Sequence, residues 1–171
     1  MQAASYNIHK AIGLAGRRDP DRIADVLGEI DADVVVLQEA DKRLGSREGG
    51  LSLDHLETEL NLTPCDVSVR PLRHGWQGKA IFLKPHLLNH VSFRIDLPST
   101  EPRGAVSVQL SDPRLELIGV HLGLTTGIRR KQIGGLENVL HRQDNPVLLA
   151  GDFNVWDASR VTFAAPVTVV S

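Results

Sequence analysis

The chain has 171 residues, 42% of them hydrophobic and 23% charged, with a formal net charge of −2. That composition is ordinary for a soluble globular protein and fits one domain over residues 1–171. The near-neutral balance counts against tight non-specific nucleic-acid binding through phosphate neutralisation, although a local basic groove is compatible with it. The single cysteine, Cys65, cannot form an internal disulfide and reads as a small buried hydrophobe in a reducing compartment. The N-terminal Met1-Gln2-Ala3-Ala4-Ser5 lacks the charged start and apolar stretch of a secretion signal. No run approaches the roughly 18 apolar residues that cross a bilayer. The expected location is cytoplasmic.

Residues 3–8 form a short strand with Asn7 near its end, followed by a glycine-bearing loop at 10–18 without GxGxxG spacing. Asp19-Pro20 suits a helix start, Asp as N-cap and Pro at the first helical position. Ile23, Val26, Leu27 and Ile30 then recur at helical spacing, and Asp31-Ala32-Asp33 ends the helix. Val34-Val35-Val36-Leu37 is a buried strand that terminates in Gln38-Glu39. A charged loop at 41–50 precedes a short helix carrying Leu53, Leu56 and Leu60, and a weakly alternating strand at 65–69. The loop at 70–79 holds Arg73, His74, Trp76, Gln77 and Lys79. It suits anion binding and equally suits a solvated surface loop.

Strands at 80–83 and 88–95 follow, joined through Pro85, and Glu101-Pro102-Arg103-Gly104 turns into a strand at 105–110. Asp112-Pro113 links it to 115–120 as an antiparallel hairpin ending at His121. Thr125 or Thr126 can cap a helix whose apolar face is Ile133, Leu136, Val139 and Leu140. Arg129, Arg130, Lys131 and Arg142 are expected mostly on its solvated side. Residues 147–150, VLLA, form a buried strand running into Gly151-Asp152-Phe153-Asn154, and 161–170 reads as one more strand. The strand–helix–strand segments ending at Glu39 and at Asp152 look like two versions of one plan, each delivering polar groups at strand ends.

Asn7, Glu39, His121, Asp152 and Asn154 are thus the chemical inventory. Two carboxylates with amide oxygens are hard ligands that suit Mg²⁺ or Mn²⁺ rather than zinc. The chain has no HExxH, CxxC, P-loop or GxSxG motif. A divalent ion beside a His and an Asp suits phosphoester hydrolysis.

SYNIHK at 5–10, VVVLQEAD at 34–41, EPRGA at 101–105, GVHLGL at 119–124 and GDFNVW at 151–156 occur in the order found in the endonuclease/exonuclease/phosphatase superfamily, which the chain resembles from about residue 4 to 156. The resemblance implies an α/β fold, a DNase I-like two-sheet sandwich flanked by helices with the site at one end of the sheets. It implies a divalent-metal-dependent phosphoester hydrolase, phosphodiesterase- or nuclease-like, using Mg²⁺ or Mn²⁺. Asn7 and Glu39 match metal-site positions. Asp152 matches the aspartate that orients or activates water, Asn154 the asparagine on the scissile phosphate, and His121 the first family histidine. Arg103 matches an arginine of structural or site-supporting role. Substrates open to such a protein are nucleic acid, a phospholipid head group or an inositol phosphate, with Arg73, His74 and Lys79 as phosphate-facing candidates.

Two departures stand out. Gly78-Lys79-Ala80 replaces the Gly-Asn-Ala of many members, so Lys79 either pairs with phosphate as a point charge or has lost that role. Members also carry a later aspartate and a Ser-Asp-His motif, whereas residues 161–171 contain no Asp, Glu or His. The fold is therefore expected to be C-terminally incomplete, with impaired catalysis and an exposed sheet edge that favours self-association. The alternative is an inactive truncated remnant serving only as a binding or interaction domain. A plain α/β domain with accidental strand-end polar groups is the third reading.

Overall fold

The computed structural model describes residues 1–12, 16–40, 53–66, 78–98, 104–157 and 161–164. Two four-stranded sheets pack face to face. The first contains β1 (Ala3–Asn7), β2 (Val34–Gln38), β3 (Thr63–Pro64) and β4 (Ala80–Leu83), in the order β1-β2-β4-β3. The second contains β5 (His90–Ile95), β6 (Ala105–Leu110), β7 (Leu115–His121) and β8 (Val147–Asp152), in that order. Helix α1 (Pro20–Ile30) links β1 to β2, α2 (Leu53–Thr58) precedes β3, and α3 (Thr126–Leu140) links β7 to β8.

The alternation of side chains along the strands builds the layers. In β2, Val34 and Val36 join Ile81, Leu83, Val106, Val108 and Leu117 in the core between the sheets. Val35 and Leu37 face the other way, against Ile23 and Leu27 of α1 and Leu56 of α2. On the far side, Ile118 and Val120 of β7 pack with Leu122 and with Leu136 of α3. Each sheet is therefore covered by helix on one face and by its partner sheet on the other. This explains why β2 is buried at every position. Gly119 lies where the sheets approach closely; a Cβ there would stand 3.0 Å from Val36 Cγ1.

Helix α1 starts as its sequence dictates. Asp19 caps it, its carboxylate accepting from Arg22 N at 3.1 Å, and Pro20 occupies the first turn. Asp31 closes it in the left-handed conformation, its N–H bonding Leu27 O at 3.0 Å. Thr125 takes the N-cap position of α3, but its side chain makes no capping bond. Cys65 is buried, and burial pushes its thiol up to about 12, as expected of an inert core cysteine.

Other local expectations shift. The strand expected at 65–69 is the two-residue β3 just before it, extended by a bond from Cys65 N to Ile81 O; residues 67–69 lie outside the described residues. Pro85–Leu87 forms a 3-10 turn, so β5 begins at His90 rather than 88. The described part of 161–170, residues 161–164, is not strand. Among the described residues no helix is long and apolar enough to cross a membrane.

Candidate active site

Register brings the site together. β1 and β2 are parallel, with Asn7 opposite Gln38; β7 and β8 are parallel, with His121 opposite Asp152. Parallel neighbours joined through a helix end on the same side, so each strand–helix–strand unit presents two strand ends together. The edge strands β1 and β8 then face each other across the sandwich, and Asn7 Nδ2 donates to Asp152 Oδ2 at 2.9 Å. The same amide nitrogen lies 3.4 Å from Glu39 Oε1. His121 Nε2 stands 3.8 Å from Asp152 Oδ2, and His9 Nδ1 3.8 Å from Glu39 Oε2.

The backbone works to present these groups. Glu39 and Asn154 both adopt positive φ, 53° and 51°. Such conformations are uncommon outside glycine and cluster at functional sites. Glu39 is set between two anchors: Gln38 O accepts from Ile8 N at 3.1 Å, and Ala40 N donates to Gly78 O at 2.8 Å. Asn154 N donates to Asp152 Oδ1 at 2.7 Å, and its side-chain Nδ2 donates to Leu122 O at 2.7 Å. The carboxylate of Asp152 thus has one oxygen fixed by Asn154 and the other by Asn7. Helices α1 and α3 both begin at this end of the sandwich, adding the partial positive charge of their N-termini.

Asn7, Glu39, His121, Asp152 and Asn154 therefore gather as one cluster. Lys79 is a buried residue. Only 1% exposed, it lies one residue before Ala80, the partner of Leu37. Arg73, His74 and Arg103 lie outside the described residues. Sequence reasoning missed His9, two residues beyond Asn7, whose N–H donates to Asn7 Oδ1 at 3.1 Å. It also missed the pairing of Gln38 with Ser5 behind the site, Nε2 to Oγ at 3.1 Å. Arg129, one of the basic residues expected mostly on the solvated side of α3, is half-buried and donates to Gly123 O at 3.2 Å.

The donor set fits a hard divalent cation. Two carboxylates converge on one amide group, each about a third or less exposed (31% for Glu39, 28% for Asp152), so a cation between them relieves like-charge repulsion. Among the described residues no group of three or more His, Cys, Asp or Glu forms a closed cage. Mg²⁺ sites commonly use one or two carboxylates and complete their shell with water and substrate phosphate.

Residues 4–166 match the Endonuclease/Exonuclease/phosphatase family, and the chain belongs to it. The uncharacterized protein YbhP of Escherichia coli K12 is 26% identical over 176 residues, covering 91% of this chain and 67% of that protein. Among solved structures, a humanized D. rerio TDP2 matches with a TM-score of 0.63 at 21% identity, over 92% of this chain and 64% of that one. The human Nocturnin catalytic domain with bound sulfate matches with a TM-score of 0.61 at 20% identity, over 91% and 64%. An endonuclease/exonuclease/phosphatase from Beutenbergia cavernae matches with a TM-score of 0.63 at 23% identity, over 91% and 47%. These likenesses establish the DNase I-like fold. The chain spans about two thirds or less of the length of each of these solved chains.

Proposed function

We propose that the chain acts as a Mg²⁺- or Mn²⁺-dependent phosphoester hydrolase of phosphodiesterase type. The observation that carries this reading is the single amide nitrogen of Asn7, shared by carboxylates from both sheets, with His121 and Asn154 around the same aspartate. Membership of a phosphoesterase and nuclease family supports it.

Glu39 and the Asn7 amide would hold the metal, which when bound supplies positive charge to the phosphoryl oxygens. Asp152 orients the attacking water and takes its proton. Its two oxygens are already held by Asn7 and Asn154, which cuts the reorganisation needed during reaction. His121, with an 11% exposed side chain beside Asp152, donates to the charge that develops on phosphate. Substrates in this class are nucleic acid, phospholipid head groups and inositol phosphates, and the E. coli relative adds no substrate to that choice.

The test is hydrolysis of bis-p-nitrophenyl phosphate with Mg²⁺ or Mn²⁺, followed by a panel of one substrate from each class. Chelator-sensitive turnover is expected, and turnover indifferent to chelator and to Glu39→Ala overturns the reading. The reading also includes self-association: β1 and β8 are edge strands among the described residues, and a second copy pairing along one of them would cover it. Sedimentation velocity should then show a dimer, and a monodisperse monomer contradicts it.

A further inference from the structure

We infer that Gln132 and Arg129, on the first turns of α3, are positioning residues that clamp the loop between His121 and α3, and through it set Asn154. This rests on the phosphoesterase reading and adds residues that neither the family motifs nor the strand-end pattern include.

Every backbone polar group at the start of this loop is engaged from one side or the other. Leu122 N donates to Asp152 O at 2.8 Å, and Leu122 O accepts from Asn154 Nδ2 at 2.7 Å. Gly123 N donates to Gln132 Oε1 at 2.7 Å, and Gly123 O accepts from Arg129 Nη1 at 3.2 Å. Arg129 Nη1 also reaches Leu124 O, and its Nη2 reaches Thr126 Oγ1 at 3.2 Å. The loop is thus a plate gripped by β8 and Asn154 on one side and by α3 on the other. Moving Gly123 moves the adjacent Leu122 carbonyl, and that carbonyl fixes the Asn154 amide. A side chain at position 123 would force Ile128 to shift, because a Cβ there would stand 2.5 Å from Ile128 Cγ2.

Gln132 is a poor choice for stability alone. It is 0% exposed, and its Nε2 has no hydrogen-bond partner among the described residues. A buried amide donor left unmade costs free energy that an apolar residue of similar size would not incur. The residue occupies the helix face of Leu136, four positions on, where the stripe is otherwise apolar. A polar side chain held there at a cost, with its oxygen aimed at one loop N–H, is placed for geometry. Residues conserving such geometry at the expense of stability are characteristic of functional sites.

The experiment is a double-mutant cycle with Gln132→Met and Asn154→Ala in the full chain, reading kcat and KM for bis-p-nitrophenyl phosphate. Gln132→Met should lower kcat by about 10- to 100-fold, the loss that small misplacements produce, with KM little changed. In the Asn154→Ala background the same substitution should change kcat less than 3-fold, since residues acting through one another are not additive. Gln132→Glu, which keeps an accepting oxygen, should recover most of the activity. Additive losses, or a fall in kcat matched by loss of folded protein, overturn the clamp. If the parent chain hydrolyses nothing, the phosphoesterase reading fails. The clamp is then read by NMR alone: Gln132→Met should shift the Asn154 side-chain amide and expose the Gly123 N–H to exchange, and unchanged signals overturn it.

Discussion

Asp152→Ala is expected to lower kcat for phosphodiester hydrolysis by about 1,000-fold while leaving the protein folded. The carboxylate is the hub of the site. It accepts from Asn7 Nδ2 at 2.9 Å and Asn154 N at 2.7 Å, and His121 Nε2 lies 3.8 Å away. Removing it takes away the group proposed to orient water and accept its proton; it leaves Asn154 N–H without this acceptor and Asn7 Nδ2 with Glu39 Oε1 alone. Stability should move little, because the substitution also removes one of two carboxylates that crowd a single amide. Asp152→Asn keeps the shape and tests the charge; it should be nearly as inactive. Kinetics of both variants, with circular dichroism to confirm the fold, check this. Loss of less than 10-fold in both would remove Asp152 from the chemistry.

Gly151→Ala should damage fold and activity together. Gly151 sits at φ 146°, and a Cβ there would lie 2.0 Å from Val120 O and 2.8 Å from Val120 C. The obstructing atoms belong to the backbone of β7, the strand that pairs with β8, so no rotamer change relieves them. Either β8 moves away from β7 or the chain twists, and in both cases Asp152, the next residue, leaves Asn7 and His121. Backbone strain with overpacking amounts to about 3 kcal/mol or more. For a domain of this size that is a fall in Tm on the order of 10 °C. Thermal denaturation checks the first effect, and a fall of at least about 100-fold in kcat the second. A variant with unchanged Tm would show that β8 tolerates a side chain at this point.

The sequence carried much of this arrangement because the signals were local. An apolar run cannot end in Glu39 or in Gly151-Asp152 without exposing those polar groups at a strand end. The helices over Pro20–Ile30 and Thr126–Leu140 had the apolar spacing and, for the first, the Asp-Pro start that make them crossovers. The two repeated strand–helix–strand units are what the structure contains. What was not legible is how the units face each other. The bond from Asn7 to Asp152 joins residues 145 apart in sequence and depends on two edge strands meeting across the sandwich core. Lys79 falls in a loop by sequence pattern, with phosphate pairing and a lost role both open, yet it is buried, because it directly precedes β4. Helix periodicity alone puts Arg129 with the basic residues of the solvated side and does not single out Gln132. The available signal was a polar residue inside the stripe that continues to Leu136.

The proposed divalent-cation site draws together strand ends far apart in sequence. Paramagnetic broadening by Mn²⁺ in NMR spectra of the chain tests it most directly. Low concentrations of Mn²⁺ should broaden residues around Asn7, Glu39, His121 and Asp152 together, Mg²⁺ should compete, and Glu39→Ala should remove the effect. Broadening confined to other acidic surfaces, or left intact by Glu39→Ala, would contradict it.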